Sequence, residues 1–486
     1  MGRALPVEIL QEIISNLDEP LAPYANVSPS FQRLIAPVTF AEVETSSAHD
    51  QVKLFESAFA DGRRRCLLRT LHFNVELPDI SEKRYRKFQN KREAAENARV
   101  FTDAVHALLC RLAPWANVSD DVETAPSFRL NLTSASPKDG TCPRLPDRHD
   151  RPAWEARNDF KYIKFDRAPE LPPVACVNML YPDGRRLDPR VLGAIARALP
   201  RIKTLDWWFY TAPRRLHPLW LGLRESMSSA VLDLAALSTL ENVHLYSEDS
   251  DPMNQDWEPT SILDSAGNDR LSVALNHLSR LPRLRKLKID GLHTLSPAVF
   301  DLKYENAWPS LEYLELEVSA IAPDGYWYFT GNRNLADRDE QQRYESGSDA
   351  SEAALDSEDS GASDFLPELK WARLDGQVPW FSFRRHPDPD VFDPFVIAMA
   401  SAVVRMPVLK RFECDFPQAR AASIMYYGPG QEKRPSFVPP PTTSACGSWV
   451  IFLEQERPGD DKNWNPPPEM AQTLEEANHC ISVRRG

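Results

Sequence analysis

A nine-residue pattern that returns along the chain restricts the fold more than any other feature. It reads "LPRIKTLDW" from Leu199, "LPRLRKLKI" from Leu281, "WPSLEYLEL" from Trp308, "LPELKWARL" from Leu366 and "MPVLKRFEC" from Met406. "LSTLENVHL" from Leu237 fits with Ser in place of Pro, and "LLRTLHF" from Leu67 fits in part. The shared core is L-x-x-L-x-L behind a Pro. Alternating apolar residues predict a short strand with one face turned inward. The Pro closes an apolar helix before it, such as "RVLGAIARAL" or "FVIAMASAVV". One unit of helix, Pro turn and strand cannot bury its own face, so the units are expected to stack on one another.

Such units resemble those of a leucine-rich-repeat horseshoe. The expected fold class is therefore α/β: a short helical segment at 1–46, then an irregular leucine-rich-repeat-like solenoid over 47–486. The copies lie much farther apart than the roughly 20–29 residues of a regular repeat. Loop insertions account for the excess, at Ser136 to Arg151, Glu248 to Arg270, Pro323 to Asp364 and Gly428 to Gly447. The alternative is coincidence in a Leu-rich α/β chain. The Pro at a constant offset in five copies favours repetition.

The N-terminal stretch "LPVEILQEIISNLDEPLAPYANVSPSFQRLIAP", Leu5 to Pro37, is densely apolar. Leu5, Ile9, Leu10, Ile13, Ile14 and Leu17 recur at helical spacing, with Pro6 in the first turn, where its missing N–H costs nothing. Leu21, Tyr24, Val27, Phe31, Leu34 and Ile35 form a second apolar set, broken into short pieces by Pro23 and Pro29. Helices this short cannot bury all of their apolar faces on each other. The remaining face must meet the rest of the chain or another protein.

This segment resembles an F-box. The family pattern begins L-P-x-E-[IL]-[IL], matched by Leu5, Pro6, Glu8, Ile9 and Leu10, and continues through Ile13, Leu17 and Asp18. Its second half is matched loosely by Val27, Ser28, Phe31, Leu34 and Ile35. The departures are Ser28 for Cys, Pro29 for a basic residue and Phe31 for Trp. The resemblance implies that Leu5, Pro6, Ile9, Ile13, Leu17, Val27 and Phe31 dock on a Skp-family adaptor and, through it, on a cullin of a ubiquitin ligase. A helical cap that serves only folding is the alternative. An F-box before an irregular leucine-rich region resembles the large F-box families of filamentous fungi. Such a protein is a substrate-recognition subunit of an SCF-type ligase with no catalytic residues or cofactor of its own. A repeat-based scaffold without a ligase role is the second reading, and an enzyme whose motifs go unrecognised is the third.

Several function classes lose support. A net charge of −13 argues against sequence-independent nucleic-acid binding, which requires clustered Lys and Arg. No run approaches the roughly 20 apolar residues that span a bilayer. The start "MGRALP" reads as neither a signal peptide nor a myristoylation site. The seven Cys include no C-x-x-C pair, which disfavours zinc and disulfide frameworks and suits a reducing cytoplasm or nucleus. The sequons at Asn26, Asn117 and Asn131 are then chance matches. No phosphate-binding, metalloprotease or hydrolase motif occurs. His72 and His244 fall in expected strands and read as ordinary exposed residues.

Three further expectations follow. Residues 82–109 read as one long helix whose basic half faces solvent. The segment 337–364 carries ten acids against Arg338 and Arg343, a charge of −8 that leaves −5 for the remainder, and its composition predicts disorder. Within it, Ser346 and Ser357 precede acids in a manner suited to phosphorylation, but a tolerated loop insertion is the favoured reading of the composition. Finally, the outward residues of the strands are expected to hold an unknown protein substrate. Trp208, Tyr246, Tyr313 and Trp371 are its candidate anchors, since exposed aromatics often dominate interfaces.

Overall fold

The computed structural model describes residues 7–17, 21–81, 84, 87–118, 126–139, 161–167, 170–301, 307–336, 365–417, 422–431, 446–453 and 464–485. The chain divides into two compact units, Met1–Asp206 and Trp207–Gly486.

In the first unit, β1 (Glu42–Ser46), β2 (Thr70–Glu76), β3 (Phe128–Ala135) and β4 (Val177–Gly184) pair in parallel in chain order. Parallel neighbours need long crossovers, and helices supply those from β1 to β2 and from β2 to β3. Along β2 every second residue is buried, so Leu71, Phe73 and Val75 point inward, and the helix Lys91–Leu112 packs on this strand. That helix starts nine residues later than the sequence reading places it. Asn90 and Glu93 form a reciprocal capping box, each side chain accepting the other's backbone N–H at 2.9 Å. Arg84 and Lys87 therefore lie outside the helix. Phe55, Phe59 and Trp115 complete the core as a ring cluster with centroids 5.0–5.7 Å apart.

β5 (Thr204–Tyr210) carries the boundary between the units. The second unit continues with β6 (Asn242–Glu248), β7 (Lys286–His293), β8 (Tyr313–Val318), a two-strand ribbon of β9 (Phe329–Thr330) and β10 (His386–Pro387), then β11 (Arg411–Phe416), β12 (Ala422–Tyr427), β13 (Ser448–Leu453) and β14 (Cys480–Arg485). β6, β7, β8 and β11 are parallel neighbours; β12 is antiparallel to both β11 and β13; β14 is parallel to β13. Phe300, Tyr328, Phe392, Phe395 and Phe416 form an aromatic core here, with successive ring centroids 5.4–5.7 Å apart. The helix Pro389–Val404 contributes Phe395, Val396, Met399 and Ala400, all fully buried, as the apolar run "FVIAMASAVV" requires.

The leucine-rich-repeat solenoid is overturned. Among the described residues the strands follow the order β1 to β8, then β11 to β14, in a mixed, mostly parallel twelve-stranded sheet, with helices in several of its crossovers. This is an α/β sheet fold. The recurring pattern instead encodes a local unit. In the copies from Leu199 and Trp308 the fourth residue donates its N–H to the first residue's carbonyl, Ile202 to Leu199 at 3.0 Å and Leu311 to Trp308 at 3.5 Å. The Pro occupies the second position of that turn, which its fixed φ suits. The apolar positions are buried in the copies from Leu199, Leu237, Leu281, Trp308 and Met406. A turn that feeds a buried strand is compatible with any stacked sheet, so it does not dictate a solenoid. The copy from Leu366 departs altogether, because Phe365–Leu374 is helical. The acidic segment 337–364 lies outside the described residues.

Candidate functional site

The N-terminal helix Val7–Ser15 has two apolar stripes. Leu10 and Ile14, four residues apart, are buried at 6% and 9% exposure. Ile9 and Ile13, also four apart, are 42% and 37% exposed, and Val7 is 53% exposed. Residues at this spacing share a helix face, so the helix is held through one stripe and presents the other. The short turn Ala22–Asn26 and the helix Pro29–Thr39 pack together beside it. Ser28 caps that second helix, its Oγ accepting the Phe31 N–H at 3.2 Å, with Pro29 in the first turn. Two of the three departures from the motif, Ser28 and Pro29, are thus explained locally as a helix start. Val27 is 66% exposed, Leu17 and Phe31 are half-buried, and Ile35 anchors the second helix. Tyr24 and Val38 add exposed apolar surface. Leu5 and Pro6 lie outside the described residues.

The second candidate surface is the polar face of the sheet in the unit Trp207–Gly486. Odd and even residues of β6, β8 and β11 alternate between buried and open. Trp208 is 51% exposed and its ring lies 4.8 Å from that of Tyr246. Tyr313 is 41% exposed, two strands away, with the Lys410 ammonium 5.9 Å from its ring centre. Trp371 does not join them. It sits on the helix Phe365–Leu374 with the Arg215 guanidinium 5.0 Å over its ring, and Arg215 is tied to Asp375. Of the four aromatic anchors, the structure therefore pairs only Trp208 with Tyr246.

Charges on this face form a cross-strand lattice. Register sets His244 beside Lys288, Lys288 beside Glu315, Glu315 beside Glu413 and Glu317 beside Asp415. Lys288 bridges Asp290 at 2.7 Å and Glu315 at 3.2 Å; His244 Nε2 contacts Asp290 at 2.8 Å; Arg411 pairs with Glu413. Glu317 accepts the Gly291 N–H at 2.8 Å, and Asp415 accepts the Ser423 hydroxyl. Burial, together with the neighbouring charges of Glu413, Glu317 and Glu315, pushes the Asp415 carboxyl up to about 6. The facing carboxylates were hidden in the sequence, because their signal is register between segments nearly a hundred residues apart rather than any spacing within one.

That shift has a checkable consequence. An unfolded Asp titrates near 4, so between about pH 4 and 6 the folded chain retains a proton that the unfolded chain releases. Stability therefore falls as pH rises through this window. Asp415→Asn keeps an acceptor for Ser423 and removes the charge. It is expected to be more stable at pH 7 by on the order of 2 kcal/mol and to lose this part of the pH slope in denaturant titrations. A variant no more stable than the parent at pH 7 would contradict the assignment.

Several chemistry-bearing groups elsewhere among the described residues have structural partners or are buried. A pocket of about 150 Å³ in the first unit is lined by Thr45, Ser47, His49, Phe55, Phe73 and Arg111. Its Arg111 is paired with Glu56 at 2.7 Å and its Ser47 Oγ accepts the Glu76 N–H. Burial pushes the Cys176 thiol up to about 12 and raises that of Cys414 well above the usual range, so neither is a ready nucleophile. Burial, with Arg224 nearby, lowers His293 to about 4 and keeps it neutral. Cys446 and Cys480, distant in sequence, have Sγ atoms 3.0 Å apart, a proximity that motif spacing does not reveal. Among the described residues no cluster of His, Cys, Asp or Glu is arranged to hold a metal ion, and no helix is long and apolar enough to cross a membrane.

No protein-family model matches the chain, and no curated protein or solved structure is significantly similar to it.

Proposed function

We propose that the protein is a docking subunit. Its N-terminal apolar face joins a Skp-type adaptor and, through it, a cullin-type ubiquitin ligase, while the polar face of the second unit holds a protein substrate. The observation that carries this reading is the division of the first helix. Leu10 and Ile14 anchor it, whereas Ile9 and Ile13 remain more than a third exposed. A helix that only capped a core would need one apolar stripe, and the second, partly exposed among the described residues, suits contact with another protein. Ile9 and Ile13 are also positions at which the segment resembles an F-box. No step of ubiquitin transfer is assigned to residues of this chain.

The test is reconstitution of the full chain with a purified Skp-type adaptor. Co-elution on gel filtration is expected for the parent and not for an Ile9→Asp, Ile13→Asp variant. Separate elution of the parent chain and adaptor would overturn the reading. So would equal co-elution of the variant.

A further inference from the structure

The polar sheet face carries more acid than base, and its acids are unevenly served. The outward residues of β6, β7, β8 and β11 include three cations, Lys286, Lys288 and Arg411, against five acids, Asp290, Glu315, Glu317, Glu413 and Asp415. Lys288 engages Asp290 and Glu315, and Arg411 engages Glu413. Glu317 and Asp415 are left opposite each other across β8 and β11, held by a backbone N–H and a hydroxyl. Like charges directly opposite on neighbouring strands destabilise a sheet, so folding alone does not select this pair. Toward the other side of the same face stand the Trp208 and Tyr246 rings, with faces that attract cations.

From these positions we infer that this face docks an extended protein segment bearing two Lys or Arg residues four apart. One cation sits on the Trp208–Tyr246 pair and the other between Glu317 and Asp415. The inference rests on the reading of this face as the substrate surface and adds the chemistry of the substrate. The spacing follows from sheet geometry. Tyr246 on β6 and Asp415 on β11 are three strand intervals apart, about 14 Å at roughly 4.8 Å each. A segment crossing the strands in extended form rises about 3.4 Å per residue, so its side chains at i and i+4 are also about 14 Å apart on one side. The residue between them, at i+2, passes over Asp290, whose carboxylate Lys288 and His244 already engage.

Fluorescence anisotropy with the full chain tests this, using dye-labelled nonapeptides of serine with two lysines. The peptide with lysines four apart is expected to bind about tenfold more tightly than one with lysines two apart, and than one with norleucine in both places. Trp208→Ala changes no charge and is expected to weaken it about tenfold; Glu317→Gln with Asp415→Asn is expected to do the same. Binding that is indifferent to both variants would place the peptide elsewhere on this acidic chain and overturn the proposal. Trp208-dependent binding of the norleucine peptide would overturn the cation assignment and keep the face as a protein-binding surface. Absence of any Trp208-dependent peptide binding would remove the face itself, while co-elution with the adaptor reports separately on the N-terminal surface.

Discussion

Ile9→Ala combined with Ile13→Ala is expected to lower affinity for the proposed Skp-type adaptor by at least about a hundredfold, with the melting temperature within about 2 °C of the parent. Truncating an apolar side chain at the centre of an interface typically costs about 2 kcal/mol, and two such losses leave little binding. The same truncations cost the free chain little. Both side chains are more than a third exposed, and alanine is the better helix former. Leu10→Ala provides the opposite case. Leu10 is 6% exposed on the stripe that anchors the helix, so its truncation lowers stability by about 2 kcal/mol or more. Calorimetric titration with the adaptor and thermal melts of the three proteins separate the two stripes. Adaptor affinity unchanged in the Ile9, Ile13 variant would end the F-box reading of this helix.

How much of the fold was legible depended on the scale of the feature. Strand phase was readable because a half-buried strand must alternate: Leu287 and Ile289 are buried, and Lys286 is open between its neighbours' outward residues. The proline turns were readable because Pro restricts one dihedral wherever it stands. The arrangement of the units was not, since a local turn-and-strand unit carries no information about how many residues its crossover holds or where a sheet turns antiparallel. The copy from Leu366 shows the limit within a single segment. "LPELKWARL" contains no β-branched residue and is rich in Leu, Glu, Lys, Ala and Arg, which favour helix. The copies that form strands contain Ile, Val, Phe or Tyr at the corresponding places. An i, i+3 pair of leucines fits either period, and residue type decided the outcome here. Trp371 accordingly moved from a strand to a helix, away from Trp208 and Tyr246.

The candidate surfaces divide in the same way. The N-terminal face was legible because a helix of nine residues sets its own geometry. Which apolar stripe would be covered was not, because that depends on packing against residues later in the chain. The carboxylate pair on the sheet needed the pairing of β8 with β11, a contact that no local pattern announces.

Gly291→Ala is expected to destabilise the folded chain by about 3 kcal/mol or more. Gly291 sits in β7 where pairing with β8 slips: Ile289 faces Leu316, and the next paired residue is His293, facing Val318. The irregularity needs left-handed backbone, with φ of 85° at Gly291 and 68° at Leu292. A Cβ at position 291 would fall 1.9 Å from the Ser247 carbonyl oxygen and under 3 Å from its carbon and nitrogen. These are backbone atoms of the neighbouring strand, so no side-chain rotation relieves the overlap. β6 and β7 would have to part, or β7 would have to lose its bulge. Either movement shifts the Gly291 N–H from Glu317 and with it one of the two facing carboxylates. Denaturant midpoints should therefore fall sharply for Gly291→Ala, and the residual folded protein should bind the two-lysine peptide more weakly. A midpoint that moves by less than the equivalent of about 1 kcal/mol would mean that the β6–β7 contact is far more yielding than its geometry indicates.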